Sequence, residues 1–157
     1  MTQKTKIQAE AGKQELIITR EFDLPVALLF KAHVVPELVE QWMGTKVLKL
    51  ESKPHGSWQY ETTNPQGQVV FRANGVIHEC IPDQKITRTF QMEDSPFDVQ
   101  LEFLEFEALT GATSRLTMHQ VFRSVALRDQ LLQLPFAKGL NWAHDRLQEV
   151  VSQLIEH

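Results

Sequence analysis

The residue pattern changes period once, and that change limits the fold more than any single motif does. Between residues 45 and 123, short β-branched and aromatic runs alternate with turn chemistry: Lys53-Pro54-His55-Gly56, Asn64-Pro65-Gln66-Gly67, Pro82-Asp83, Ser95-Pro96 and Thr110-Gly111. From 126 to 155 the apolar residues take helical spacing, with Leu127, Leu131, Leu134, Leu140, Leu147, Val151 and Leu154 along roughly one face. The pattern predicts strands at 45–51, 57–63, 69–79, 85–92, 98–107 and 114–123, preceded by one at 14–22. Short connections favour antiparallel pairing and require no parallel crossover.

Two short helices are expected after the first strand. Pro25 suits a first helical turn followed by Val26, Leu29 and Phe30, and Pro36 opens a second that carries Leu38, Val39 and Trp42 and stops at Gly44. Pro135 or Gly139 is expected to bend or shorten the C-terminal helix. The fold class is therefore α+β: a curved antiparallel sheet of about six or seven strands wrapped around a long C-terminal helix. At 157 residues and 42% hydrophobic, the chain (1–157) is expected to form a single domain, with about a dozen N-terminal residues flexible.

Charge and cysteine usage exclude several partner classes. Sixteen basic against 20 acidic residues give a net charge of −4, with no footprint for nucleic acid or an anionic membrane. Cys80 is the only cysteine, so an intrachain disulfide or a cysteine-based zinc site is ruled out. Neither a signal-like apolar region nor a membrane-length apolar run is visible, and a cytoplasmic location is expected. The six histidines fall singly, and HExxH, GxSxG, P-loop and dinucleotide motifs are all missing. Hence no metal, no cofactor and no catalytic residue is assigned, and the reading leans away from an enzyme.

A curved sheet gripping one helix leaves a concave, mostly apolar space, the usual setting for a small ligand. Polar residues that break apolar faces are then informative, because burying them without partners costs about 1–3 kcal/mol. Arg88 breaks the face Ile86, Phe90, Met92; Gln120 breaks Leu116, Met118, Phe122; His144 lies between Leu140 and Leu147 on the helix. These three are the candidate polar contacts of a ligand. Trp58, Tyr60, Phe90, Leu101 and Phe103 from the sheet, with Met118, Leu140 and Leu147, are its candidate apolar lining. Other roles stay open: Arg88 reaching water or pairing with Glu93 or Glu102, Gln120 bonding backbone, His144 as a satisfied helix residue, and Trp58 and Tyr60 as core. Glu102, Glu105 and Glu107 read as a solvated edge or outer face.

Several blocks, in order, resemble one family. They are Arg20-Glu21-Phe22-Asp23-Leu24-Pro25 through Leu29-Phe30-Lys31-Ala32, then Pro36-Glu37 with Gln41-Trp42, and Pro54-His55-Gly56-Ser57-Trp58. Gly75-Val76-Ile77 with Glu79, Pro82 and Lys85-Ile86-Thr87, then Gly111 to Leu116 and Gly139-Leu140-Asn141 through Leu147 complete the set. Together they are similar to the START-like (SRPBCC) superfamily, in the branch of homologues of the activator of the 90-kDa heat-shock chaperone ATPase. Two departures stand out: His55-Gly56 replaces the family's paired glycines, and Leu140 and His144 occupy positions usually held by tryptophan and leucine. The resemblance implies a helix-grip fold, a cavity between sheet and C-terminal helix, and a hydrophobic or amphipathic small-molecule ligand, lipids among them. It also implies the alternative of a chaperone or other protein partner in a stress response, and, behind that, cyclase- or hydrolase-like chemistry.

Overall fold

The computed structural model describes residues 4–155. Its elements run β1 (Lys6–Gln8), β2 (Glu15–Phe22), α1 (Val26–Val34), α2 (Pro36–Met43), β3 (Lys46–Leu50), β4 (Ser57–Thr63), β5 (Val69–Ile81), β6 (Lys85–Met92), β7 (Gln100–Ala108), β8 (Ser114–Val121), α3 (Val125–Leu132) and α4 (Phe136–Ser152). The strands form one antiparallel sheet in the order β1-β2-β8-β7-β6-β5-β4-β3. With α4 held in its concavity, this is the helix-grip fold.

Local chemistry explains the breaks. Pro36 occupies the first turn of α2, and Gly44 closes that helix in the left-handed conformation (φ 66°) that a side chain disfavours. Proline also divides the C-terminal helical stretch. Ser124 caps α3 by accepting from Leu127 N, and Pro135 separates α3 from α4 because its ring cannot continue a helix interior. Of the two residues expected to bend or shorten the helical stretch to 155, Pro135 is the one that divides it, and α4 ends at Ser152, leaving Leu154 exposed.

The strand count also differs from the sequence expectation. The sheet has eight strands, because Lys6–Gln8 pairs with Ile17–Thr19 as an edge strand within the segment expected to be flexible. Three residues carry too little alternation to announce a strand, and only the pairing edge of β2 defines this one. In β5 and β6 a register shift lies between Ile77 and Glu79, beside the position where Gly75 lets two backbones approach.

The core follows the pleat. Ile18 and Phe22 of β2 and Leu116 and Met118 of β8 point inward and meet Leu147 and Val151 of α4 and Leu29 and Phe30 of α1, while Leu16 and Phe122 cluster with Phe97 and Leu131 of α3. A second cluster, Trp58, Tyr60, Ala73, Ile77 and Val39, closes the far end of the sheet under α2. Among the described residues, no helix is long and apolar enough to cross a membrane.

Candidate functional site

Period-two alternation and register place one row of inward residues across five strands. Ile77, Arg88, Glu102, Gln120 and Leu16 are consecutive cross-strand partners on β5, β6, β7, β8 and β2. The middle of that row is polar inside an apolar sheet face. Arg88 Nε donates to Glu102 Oε1 at 2.9 Å, and Glu102 Oε2 accepts from Gln120 Nε2 at 2.8 Å and from Gln100 Nε2 at 3.2 Å. Two carboxylate oxygens receiving three donors is the arrangement expected of an ionised carboxylate. The Arg88 guanidinium lies 5.0 Å from the centroid of the Trp58 ring, a cation–π contact. Burial opposes its charge, but Glu102 and the Tyr60 hydroxyl beside it hold the Arg88 pKa above its usual value. Burial raises the Tyr60 pKa, keeping the phenol neutral.

Above this row is a cavity of about 230 Å³ between the sheet and the helices. Tyr60, Arg88, Phe90, Gln100, Glu102, Met118 and Gln120 line it from the sheet. His33 of α1, Val39, Trp42 and Met43 of α2, Leu131 of α3, and Phe136, Leu140, Ala143 and His144 of α4 supply the helical walls. Met92, Phe97 and Asp98 complete it from the end of β6 and the β6–β7 connection.

Two buried histidines stand in the helical wall. His33 Nδ1 is 2.9 Å from Leu29 O, a contact in which the ring N–H donates to the carbonyl, so Nε2 is left as an acceptor. Burial lowers the His33 pKa to about 4. His144 is 1% exposed, and burial, with His33 and Arg20 nearby, lowers its pKa to about 3. Both rings are therefore neutral at neutral pH. Trp42 ties them together, with ring centroids 5.4 Å from His33 and 6.4 Å from His144, while its own Nε1 donates to Ala32 O at 2.7 Å.

His144 is also held from the N-terminal side. Thr5, just before β1, places Oγ1 2.8 Å from His144 Nδ1, and its backbone N–H donates to Asn141 Oδ1 at 3.0 Å. Arg20, inward on β2, reaches the same turn of α4 through Asp145 at 2.7 Å.

Of the residues singled out from sequence, Tyr60, Arg88, Phe90, Met118, Gln120, Leu140 and His144 come together around this cavity. Four do not. Trp58 is fully buried behind Arg88, and Leu147 is fully buried in the main core, so both pack and neither faces the cavity. Leu101 is 37% exposed, and Phe103 lies on the outer face with its ring 5.7 Å from that of His119. Strand β7 reads Gln-Leu-Glu-Phe-Leu-Glu-Phe-Glu-Ala, with apolar residues in both phases. Leu104 and Phe106 point inward, which places Leu101 and Phe103 outside and Glu102 inside, the reverse of the expected assignment. A buried glutamate is unfavourable in isolation and becomes tenable through its three donors.

His33, Trp42, Gln100, Glu102 and Phe136 are wall residues that sequence reasoning missed. Arg20 interrupts the inward set Leu16, Ile18, Phe22 just as Arg88 interrupts its own, so the same signal was present. For Glu102 the signal was the complementary charge of Arg88 on an adjacent strand. Among the described residues, no cluster of three or more His, Cys, Asp or Glu is arranged to hold a metal ion.

No curated protein matches the chain at significant similarity. Solved structures do resemble it in shape. Protein Ms6760 from Mycobacterium smegmatis superposes with a TM-score of 0.83 at 19% identity, covering 98% of this chain and 99% of that one. A protein from Arthrobacter aurescens gives 0.83 at 19% identity over 97% and 95%. One from Staphylococcus epidermidis gives 0.79 at 21% identity over 97% and 96%. At these identities the likeness establishes the fold. The family model described as activator of Hsp90 ATPase homolog 1-like protein matches residues 23–152, from just before α1 to the end of α4. With both helices of the upper wall, the whole polar row and α4 inside that match, the chain belongs to the activator of Hsp90 ATPase homolog 1-like family, in the START-like superfamily.

Proposed function

We propose that this protein binds a hydrophobic or amphipathic small molecule in the cavity between the sheet and α4. The observation that carries the reading is the cavity itself: walls of Phe90, Met118, Phe136 and Leu140 around a buried polar row on one side. Apolar concavity with a few fixed polar groups is the usual composition of a ligand site. A cytoplasmic setting accompanies this reading, supported by the lone cysteine Cys80.

The test is an amide-shift titration of labelled protein against fatty acids, flavonoids and aromatic polyketides, repeated on Ala143→Phe. Ala143 is a cavity-lining residue of α4, and phenylalanine there fills space. The reading expects shifts at Arg88, Met118, Gln120 and Leu140 that the substitution removes. Shifts that persist in Ala143→Phe, or silence across the panel, count against it.

The family match supports a second reading, partnership with a chaperone or another protein through the surface. A partner captured equally by the parent chain and Ala143→Phe favours that surface role.

A further inference from the structure

Among the described residues, every charge around the cavity is already answered by another. Arg88 is paired with Glu102 inside the wall, and Asp98 is paired with Arg123 at its edge. Arg20, behind His144, is paired with Asp145. His33 and His144 are neutral because burial holds their pKa values far below 7. A carboxylate entering this space would add a net negative charge to a poorly solvated site with no free cation among the described residues to meet it.

The wall nevertheless retains unused hydrogen-bonding capacity. Among the described residues, Arg20 Nε, Ser52 Oγ, Trp58 Nε1 and Gln120 Oε1 are the buried side-chain atoms without a partner, and Gln120 alone of these residues lines the cavity. On the far side of the same carboxylate, Arg88 spends Nε on Glu102, and its Nη groups, beside the Tyr60 hydroxyl, carry more N–H donors than that one neighbour can use. An acceptor oxygen and a donor fork flanking one carboxylate match a group that both donates and accepts. A hydroxyl does both without carrying charge. The size is set by the space: an apolar cavity of about 150 Å³ binds benzene, so about 230 Å³ suits a fused bicyclic ring.

We propose that the cavity selects an uncharged, mostly apolar molecule bearing a hydroxyl, seated with that hydroxyl at the Arg88–Glu102–Gln120 row, and rejects the corresponding carboxylate. This rests on the small-molecule reading above and narrows it to a chemical class.

The experiment compares 2-naphthol, naphthalene and 2-naphthoate at pH 7 on the full chain, with affinity read from cavity amide shifts. The expected order is 2-naphthol about tenfold tighter than naphthalene, because a buried polar wall left unpaired penalises the apolar analogue. Naphthoate is expected to be weaker than 2-naphthol by about tenfold or more. Glu102→Gln, which keeps an acceptor and removes the negative charge, is expected to narrow or invert the preference for 2-naphthol over naphthoate. Naphthoate binding as tightly as 2-naphthol to the parent chain overturns the proposal while leaving the cavity a ligand site. Naphthalene matching 2-naphthol overturns the hydroxyl's role. Absence of any cavity shift with all three overturns the proposal, and silence across the wider panel as well overturns the small-molecule reading beneath it. If Glu102→Gln does not fold, the ranking on the parent chain decides.

Discussion

Arg88 and Glu102 are direct cross-strand partners on β6 and β7, and their side chains form a 2.9 Å ion pair with 11% and 3% of their surface exposed. A pair this deep offsets a large desolvation term only while both members are present. Arg88→Met alone and Glu102→Leu alone are each expected to destabilise the fold by about 3–5 kcal/mol, since each strands a charge. The double substitution is expected to recover most of that loss. Urea unfolding of the three variants measures it. Additive losses would show that the two groups act independently.

Acid should loosen this fold through its buried histidines. The folded pKa values of His33 and His144 are about 4 and about 3, below the ordinary histidine value of about 6.5. Between those limits the unfolded chain binds more protons than the folded one, so the contribution is whole above about pH 6.5 and declines as pH falls. By pH 5 each ring is expected to have removed roughly 2 kcal/mol. Unfolding midpoints at pH 7.5 and pH 5 report the sum, and His144→Leu, which cannot titrate, is expected to flatten the slope by about half. An unchanged slope in that variant would place the acid sensitivity elsewhere.

Two glycines are expected to respond to alanine in opposite directions. A Cβ on Gly75 would clash with the backbone carbonyl of Thr89 and with Trp58 Nε1, so both the strand and the indole must shift. Gly75→Ala is expected to destabilise by about 3 kcal/mol, the upper end of overpacking. Gly139 lies in the exposed first turns of α4 with nothing within 4 Å of an added Cβ. Gly139→Ala is expected to stabilise by about 0.4–1 kcal/mol through the unfolded chain. Thermal unfolding of the two variants side by side checks both signs.

Much of the frame was legible because its signals are local. Strands β4 and β6 begin and end where their turns dictate, and Pro36, Gly44 and Pro135 mark the helix ends they are chemically suited to mark. Arg88, Gln120 and His144 could be found because each breaks an apolar face that burial then encloses. Glu102 was misassigned for the converse reason. Strand β7 is apolar in both phases, and choosing between them required knowing that Arg88 would stand opposite. His33 and Trp42 were out of reach because their places in the wall follow from the docking of α1 and α2 against α4, tertiary contacts that no single period encodes. Strand β1 was too short to have a period at all.

Methionine methyl groups provide the most direct test that the cavity is a ligand site. The chain has four methionines, and Met43, Met92 and Met118 all line the cavity, from α2, β6 and β8 respectively. In protein labelled at its methionine methyls, a ligand of the panel is expected to shift those three signals together and to give contacts between its protons and the Met118 methyl. A ligand that binds while all three signals stay fixed sits elsewhere on the protein, and the central claim is then wrong.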